Sequence, residues 1–139
     1  MRVEEVDLGA TYDLRRRVLF VEPRPVQIPG DELPETFHLG AFDGDALVGV
    51  VTLVSTDHGY QLRGMAVDPD RQRSGAGRRL VEAAAARLRA AGVTRMWCNA
   101  RDTAIPFYER LGFRISGAGF LHEPSGLPHH PMELLLPRQ

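Results

Sequence analysis

The chain has no lysine; all 17 of its basic residues are arginine. That absence excludes a lysine Schiff base, a phosphate-loop lysine and self-acetylation at a lysine side chain. Cysteine is almost missing too. The single Cys98 rules out an internal disulfide framework and suits a reducing cytoplasm, the compartment expected here. Purely apolar runs are short, Leu134-Leu135-Leu136 being an example, against the ~20 residues that span a bilayer. Residues 1–7 mix charges with apolar positions, so they do not read as a secretory leader, and no membrane association is expected. The net charge of −1 gives no electrostatic reason to expect a nucleic-acid partner.

What remains is ordinary globular material. At 139 residues, 43% hydrophobic and 25% charged, the chain fits one domain, residues 1–139; two would each be too small for a good core. Residues 1–6 read as a strand. Residues 11–21 read as a helix with Leu14, Val18 and Val21 on one face. Pro23, Pro25, Pro29 and Pro34 make 22–36 an irregular loop, because each ring removes a backbone donor. Three strands follow, Phe37 to Phe42, Ala46 to Ser55 and Tyr60 to Val67, separated by Asp43-Gly44-Asp45 and Asp57-His58-Gly59. From Arg71 to Ala91 the period becomes helical, with Leu80, Ala84 and Leu88 in line, and Gly92 ends the run. Val93 to Asn99 is a short strand. Asp102 or Thr103 can cap a short helix that tolerates Pro106 in its first turn. The tail, Phe113 to Leu136, reads as two strands around Pro124-Ser125-Gly126. The expected fold class is α/β, a mixed and mainly antiparallel sheet with helices on both faces.

The segment that carries most chemistry runs from Leu62 to Leu80. A strand enters a glycine-containing turn, and the turn opens the long helix. Free N–H groups there, with a dipole worth about half a positive charge, favour phosphate. Gly75 and Gly77 let the backbone approach a ligand, and Arg73, Arg78 and Arg79 can add charge-assisted bonds. A pyrophosphate suits this turn. The dinucleotide fingerprint G-x-G-x-x-G is absent, and a Walker loop needs the lysine this chain lacks.

What is present is Gln72-x-x-Gly75-x-Gly77, preceded by Met65-Ala66-Val67-Asp68-Pro69. Further on come Asn99 and Ala104-Ile105-Pro106-Phe107-Tyr108-Glu109-Arg110-Leu111-Gly112-Phe113. Together these resemble the GNAT superfamily of N-acetyltransferases. Leu14-Arg15-x-x-Val18 with Val21-Glu22, and Gly126-Leu127-Pro128-His129, are similar to its small bacterial ElaA-like subgroup. The resemblance implies that acetyl-CoA is the co-substrate, that no metal is needed, and that the acceptor is a small-molecule or peptide amine. A longer acyl donor, or a coenzyme A sensor with little turnover, are the alternatives. The resemblance also implies a cofactor site of Met65, Ala66, Val67, Gln72, Arg73, Ser74, Gly75, Ala76, Gly77, Arg78, Asn99, Phe107 and Tyr108, in a monomer or homodimer.

In such a site Tyr108 is the candidate general acid, since a phenol with pKa near 10 stays protonated at neutral pH. A helix tyrosine that merely packs its ring is the plainer alternative. Asn99 is either a cofactor contact or a loop asparagine. An amine acceptor must lose a proton, and Glu22, His38 and His129 are the candidate bases. Adjacent strand residues point oppositely, so only one of His129 and His130 can line a pocket. Arg15 and Arg16 read as a solvated helix face, with an acceptor carboxylate as the other option. Cys98 fits a small buried residue better than a nucleophile.

Overall fold

The computed structural model describes residues 1–19, 27–123 and 125–137. Strand β1 (Arg2–Val6) leads through a short 3-10 turn to α1 (Tyr12–Val18). Three long strands follow: β2 (Phe37–Asp43), β3 (Ala46–Thr56) and β4 (Gly59–Val67). Helix α2 (Ala76–Ala90), strand β5 (Arg95–Arg101) and helix α3 (Ile105–Arg110) come next. The tail holds β6 (Arg114–Ile115), β7 (Phe120–Leu121) and β8 (Pro128–Leu135). All eight strands share one sheet in the order β1-β2-β3-β4-β5-β8-β6, with β7 beside β8. Among the described residues only β4 and β5 run parallel; the other pairings are antiparallel. The mixed, mainly antiparallel α/β expectation is met.

One face of the sheet carries α2. Leu80, Val81, Ala84, Ala85 and Leu88 are buried against Leu39, Val51, Leu53 and Met96, joined by Tyr108 and Phe113 from the α3 region. Fully burying a leucine such as Leu80 contributes about 1.5–3 kcal/mol. The other face carries α1, whose Leu14 meets Val50 and Ala66 in a much smaller apolar cluster. Helices therefore flank both faces.

Several element boundaries differ from the sequence reading. The helix expected from Arg71 begins at Ala76, after a 3-10 turn over Pro69–Arg71 that is started by Asp68, whose carboxylate accepts from the Asp70 N–H. Proline at 69 and glycine at 75 hold the chain out of the helix until that point. Neither Asp102 nor Thr103 caps α3; the cap position is Ala104, without a side-chain bond. The tail is three strand segments rather than two, because both short pieces, β6 and β7, lean on β8. No helix among the described residues is long and apolar enough to cross a membrane.

Candidate active site

Strands β4 and β5 start together and then part. Their parallel register holds only for Tyr60 with Met96 and Gln61 with Trp97. Beyond those pairs both strands continue, β4 beside β3 and β5 beside β8. A wedge-shaped gap opens between them at their C-terminal ends. A β-bulge contributes to it: between the pairs Thr52–Arg63 and Val50–Ala66, β4 has two residues, Gly64 and Met65, where β3 has only Val51. Gly64 takes φ +59°, which a side chain would make costly. A bulge of this kind bends the strand and increases its twist.

Strand alternation then decides which backbone groups face the gap. Asp68 N–H donates to Val48 O at 2.8 Å and Ala66 pairs with Val50, so both turn towards β3. The N–H and C=O groups of Met65 and Val67 therefore point the other way, towards β5. The Val67 carbonyl accepts from the Gln72 side-chain amide at 3.4 Å, which links the predicted turn to this edge. Ala66, expected among the cofactor residues, sends its side chain into the α1 cluster instead.

The glycine turn lies at the start of α2. Gly75 is the N-cap, with φ +87°, and a Cβ placed there would meet nothing within 4 Å. Its open side is free for a ligand, and its dihedral alone calls for glycine. The helix has no side-chain cap, so the N–H groups of Gly77 and Arg78 lack intrahelical partners. Ser74 Oγ bonds Arg71 O at 2.6 Å and fixes the turn, while buried Ala76 anchors the helix start. Arg73 is exposed; Arg78 leans towards Glu82 at 3.9 Å and Arg79 reaches Met1 O at 3.3 Å. Gly77 has a further structural reason to be glycine. A Cβ there would lie 3.3 Å from the Phe107 ring and 3.8 Å from Met65 Sδ. Three predicted residues, from β4, α2 and α3, thus meet at one point.

Tyr108 is buried, its ring edge-on to Phe107 and Phe113 at centroid distances of 5.0 and 5.2 Å. It neighbours the thiol of Cys98, the first β5 residue past the last pairing with β4. Burial, reinforced by the neighbouring thiol, pushes the phenol well above its ordinary value, so it stays protonated at physiological pH. Burial likewise pushes the Cys98 thiol up to about 12, the Tyr108 hydroxyl opposing only part of the rise. A thiol of that kind is a poor nucleophile.

On the opposite face the candidates separate. His38 is buried, with Nδ1 2.7 Å from Thr52 Oγ1. Arg15, read from sequence as a solvated residue, is fully buried: it holds Asp31 through two 2.8 Å bonds and donates to Thr52 Oγ1 at 2.7 Å. Arg16 is exposed as expected. Burial lowers the His38 pKa, the nearby Asp31 carboxylate opposing. For Asp31, burial favours the neutral form, but the Arg15 bonds and the Ile28 N–H outweigh it and the pKa falls. Asn99 lies inside β5, not at its end, paired with Pro131 and exposed. Glu22 lies outside the described residues.

His129 and His130 do face opposite sides. His130 Nδ1 meets Asp102 Oδ1 at 2.7 Å. His129 is buried and stacks on His122 at 4.7 Å, and its Nδ1–H donates to Leu127 O at 2.9 Å. That carbonyl can only accept, so in the neutral ring Nε2 carries the lone pair. The sequence reading missed Asp31, Thr52 and His122. Their spacing from Arg15, His38 and His129 follows no short motif.

Known proteins share this fold. The acetyltransferase (GNAT) domain family matches residues 22–136. The N-acetyltransferase YitI of Bacillus subtilis (strain 168), itself uncharacterised, is 30% identical over 133 residues, covering 86% of this chain and 87% of that protein. The crystal structure of Escherichia coli ElaA superposes with a TM-score of 0.81 at 16% identity, covering 100% of both chains. An aminoglycoside 6'-N-acetyltransferase complexed with coenzyme A superposes with a TM-score of 0.79 at 19% identity, covering 100% of this chain and 99% of that one. With a family match over most of its length, and with the parted strands and glycine turn in place, the chain belongs to the GNAT acetyltransferases.

Proposed function

We propose that the protein transfers an acetyl group from acetyl-CoA to a primary amine by direct attack within a ternary complex. The observation that carries this reading is the gap between β4 and β5. On the β4 side the backbone groups of Met65 and Val67 turn away from β3 towards it, on the β5 side stand Cys98 and the neighbouring Tyr108, and the Gly75 turn follows the end of β4. The diphosphate would sit on the amides of residues 73–78, with Arg73 and Arg78 free to swing onto it. The pantetheine arm would run along β4 as an added strand partner, next to Met65, Gly77 and Phe107. A backbone N–H at the bulge would face the thioester oxygen and stabilise the charge that develops there.

The amine nitrogen forms a bond to the carbonyl carbon, the carbon–sulfur bond breaks, and Tyr108 donates a hydrogen bond or its proton to the departing thiolate. The proton lost by the amine needs an acceptor. His129 suits this better than His38, because its Nδ1 is held by a carbonyl, which leaves Nε2 as the nitrogen with the lone pair. His38 is enclosed under α1 and already engaged by Thr52.

The test is thiol release from acetyl-CoA across a panel of amines, amino acids and peptides, comparing wild type with Tyr108→Phe. Turnover with some amine, strongly reduced in the variant at unchanged coenzyme A affinity, supports the proposal. Tight coenzyme A binding with no transfer to any acceptor overturns it and favours a sensor.

A further inference from the structure

Beneath α1 lies a charged group that acyl transfer, as described above, does not use. The Arg15 guanidinium is fully buried, 0% exposed, and is bonded to side chains from two other parts of the chain. It grips Asp31 with both terminal nitrogens and Thr52 of β3 with one of them. Asp31 in turn accepts from Ile28 N–H at 2.8 Å, closing a compact turn over residues 28–31. The hollow beside the β4 bulge is filled from this cluster. A Cβ at Gly64 would lie 2.9 Å from Ile28 Cδ1, 3.3 Å from Arg15 Nε and 3.5 Å from Arg15 Nη2. On the other side of the bulge, Arg63 donates to Pro29 O at 2.7 Å, a second tie to the same turn.

We propose that the Arg15–Asp31 pair is a positioning device for acyl transfer. It wedges the Gly64 bulge into one shape, and so aims the backbone at Met65, while tying that bulge to the 27–33 segment. This inference rests on the reaction proposed above. Its physical basis is that a desolvated ion pair is a poor way to gain stability, since apolar residues of similar volume often do as well or better. The planar, five-donor fork of arginine does something apolar packing does not: it fixes direction. Gly64 stands next to Met65, so a small rotation at the bulge moves the N–H that faces the thioester oxygen. Misplacement of about 1 Å in such a group costs up to roughly 100-fold in rate.

The experiment uses the full chain with Asp31→Asn, Arg15→Lys and the apolar double variant Arg15→Met with Asp31→Leu. Kinetics are read per folded molecule, with calorimetric affinity for coenzyme A and melting temperature alongside. The account expects kcat to fall about 10- to 100-fold in all three, while coenzyme A affinity stays within about threefold. In the double variant the loss persists although its melting temperature matches or exceeds wild type, a split that a merely structural pair would not produce. If the double variant does not fold, Arg15→Lys and Asp31→Asn decide alone. Wild-type kcat in a folded variant overturns the proposal and leaves the acetyltransfer reading intact. A wild-type enzyme that acetylates no amine removes both.

Discussion

The face of the sheet under α2 and the face under α1 are built from different materials. Under α2, Leu80, Leu88, Leu53, Met96 and Met132 form a broad apolar layer, and the glycine turn leads into that helix. Under α1 the apolar cluster is smaller, Leu14, Val50 and Ala66 with their neighbours, and Arg15, Asp31, Thr52, His38 and Gln61 are also buried. The first face depends on area removed from water, which is non-directional and tolerates exchange among apolar residues. The second depends on hydrogen bonds and charge, which fix geometry and respond to pH. On this account the α2 face holds the fold and the donor, while the α1 face sets alignment.

The comparison can be broken at its most consequential residue first. Tyr108→Phe keeps the ring packing against Phe107 and Phe113 and removes only the hydroxyl. We expect kcat to fall roughly 100- to 1,000-fold with coenzyme A affinity unchanged, measured by steady-state kinetics and calorimetry. An unaltered kcat would leave Tyr108 as a packing residue. Next in size, Gly75→Asp should weaken coenzyme A binding about 30- to 100-fold, through positive-φ strain and repulsion of phosphate. Gly75→Ala should weaken it less, because its Cβ faces open space.

The polar face is sharpened by pH. The lowered His38 pKa means that the unfolded chain takes up that proton more readily than the folded one. Stability from His38 is therefore complete above its ordinary value of 6.5 and is lost as pH falls through the lower, folded value. Asp31 behaves alike below its ordinary 3.8, so His38 acts first. Between about pH 7.5 and pH 5, wild type should lose a few degrees more in melting temperature than His38→Gln. Equal slopes would show that His38 is not held neutral by its surroundings. The smallest effect belongs to Cys98→Ser, where kcat should stay within about threefold, as direct attack requires. A loss of several orders of magnitude would point to a covalent cysteine intermediate.

The glycine turn and the α3 segment of the candidate site were legible in the sequence because their features are local. Gln72, Gly75 and Gly77 span six residues, and Phe107-Tyr108-Glu109 with Leu111-Gly112-Phe113 spans seven. Local spacing is what helix starts and turns impose. The α1 side was not legible. Arg15 bonds to residues 16 and 37 positions away, and an arginine on a short helix ordinarily reads as solvated. Arg15 lies against Gly64 in the β4 bulge, and a bulge leaves no periodic trace. Nor did β6 and β7, two residues each, carry enough alternation to be read as separate strands.

The central claim is that the amides around residues 73–78 cradle the diphosphate of an acyl thioester whose arm enters between β4 and β5. A crystal structure of the protein soaked with coenzyme A tests it most directly. The account predicts diphosphate oxygens within hydrogen-bonding distance of those amides and the thiol close to the Tyr108 hydroxyl. An empty turn, with the ligand bound elsewhere, would contradict it.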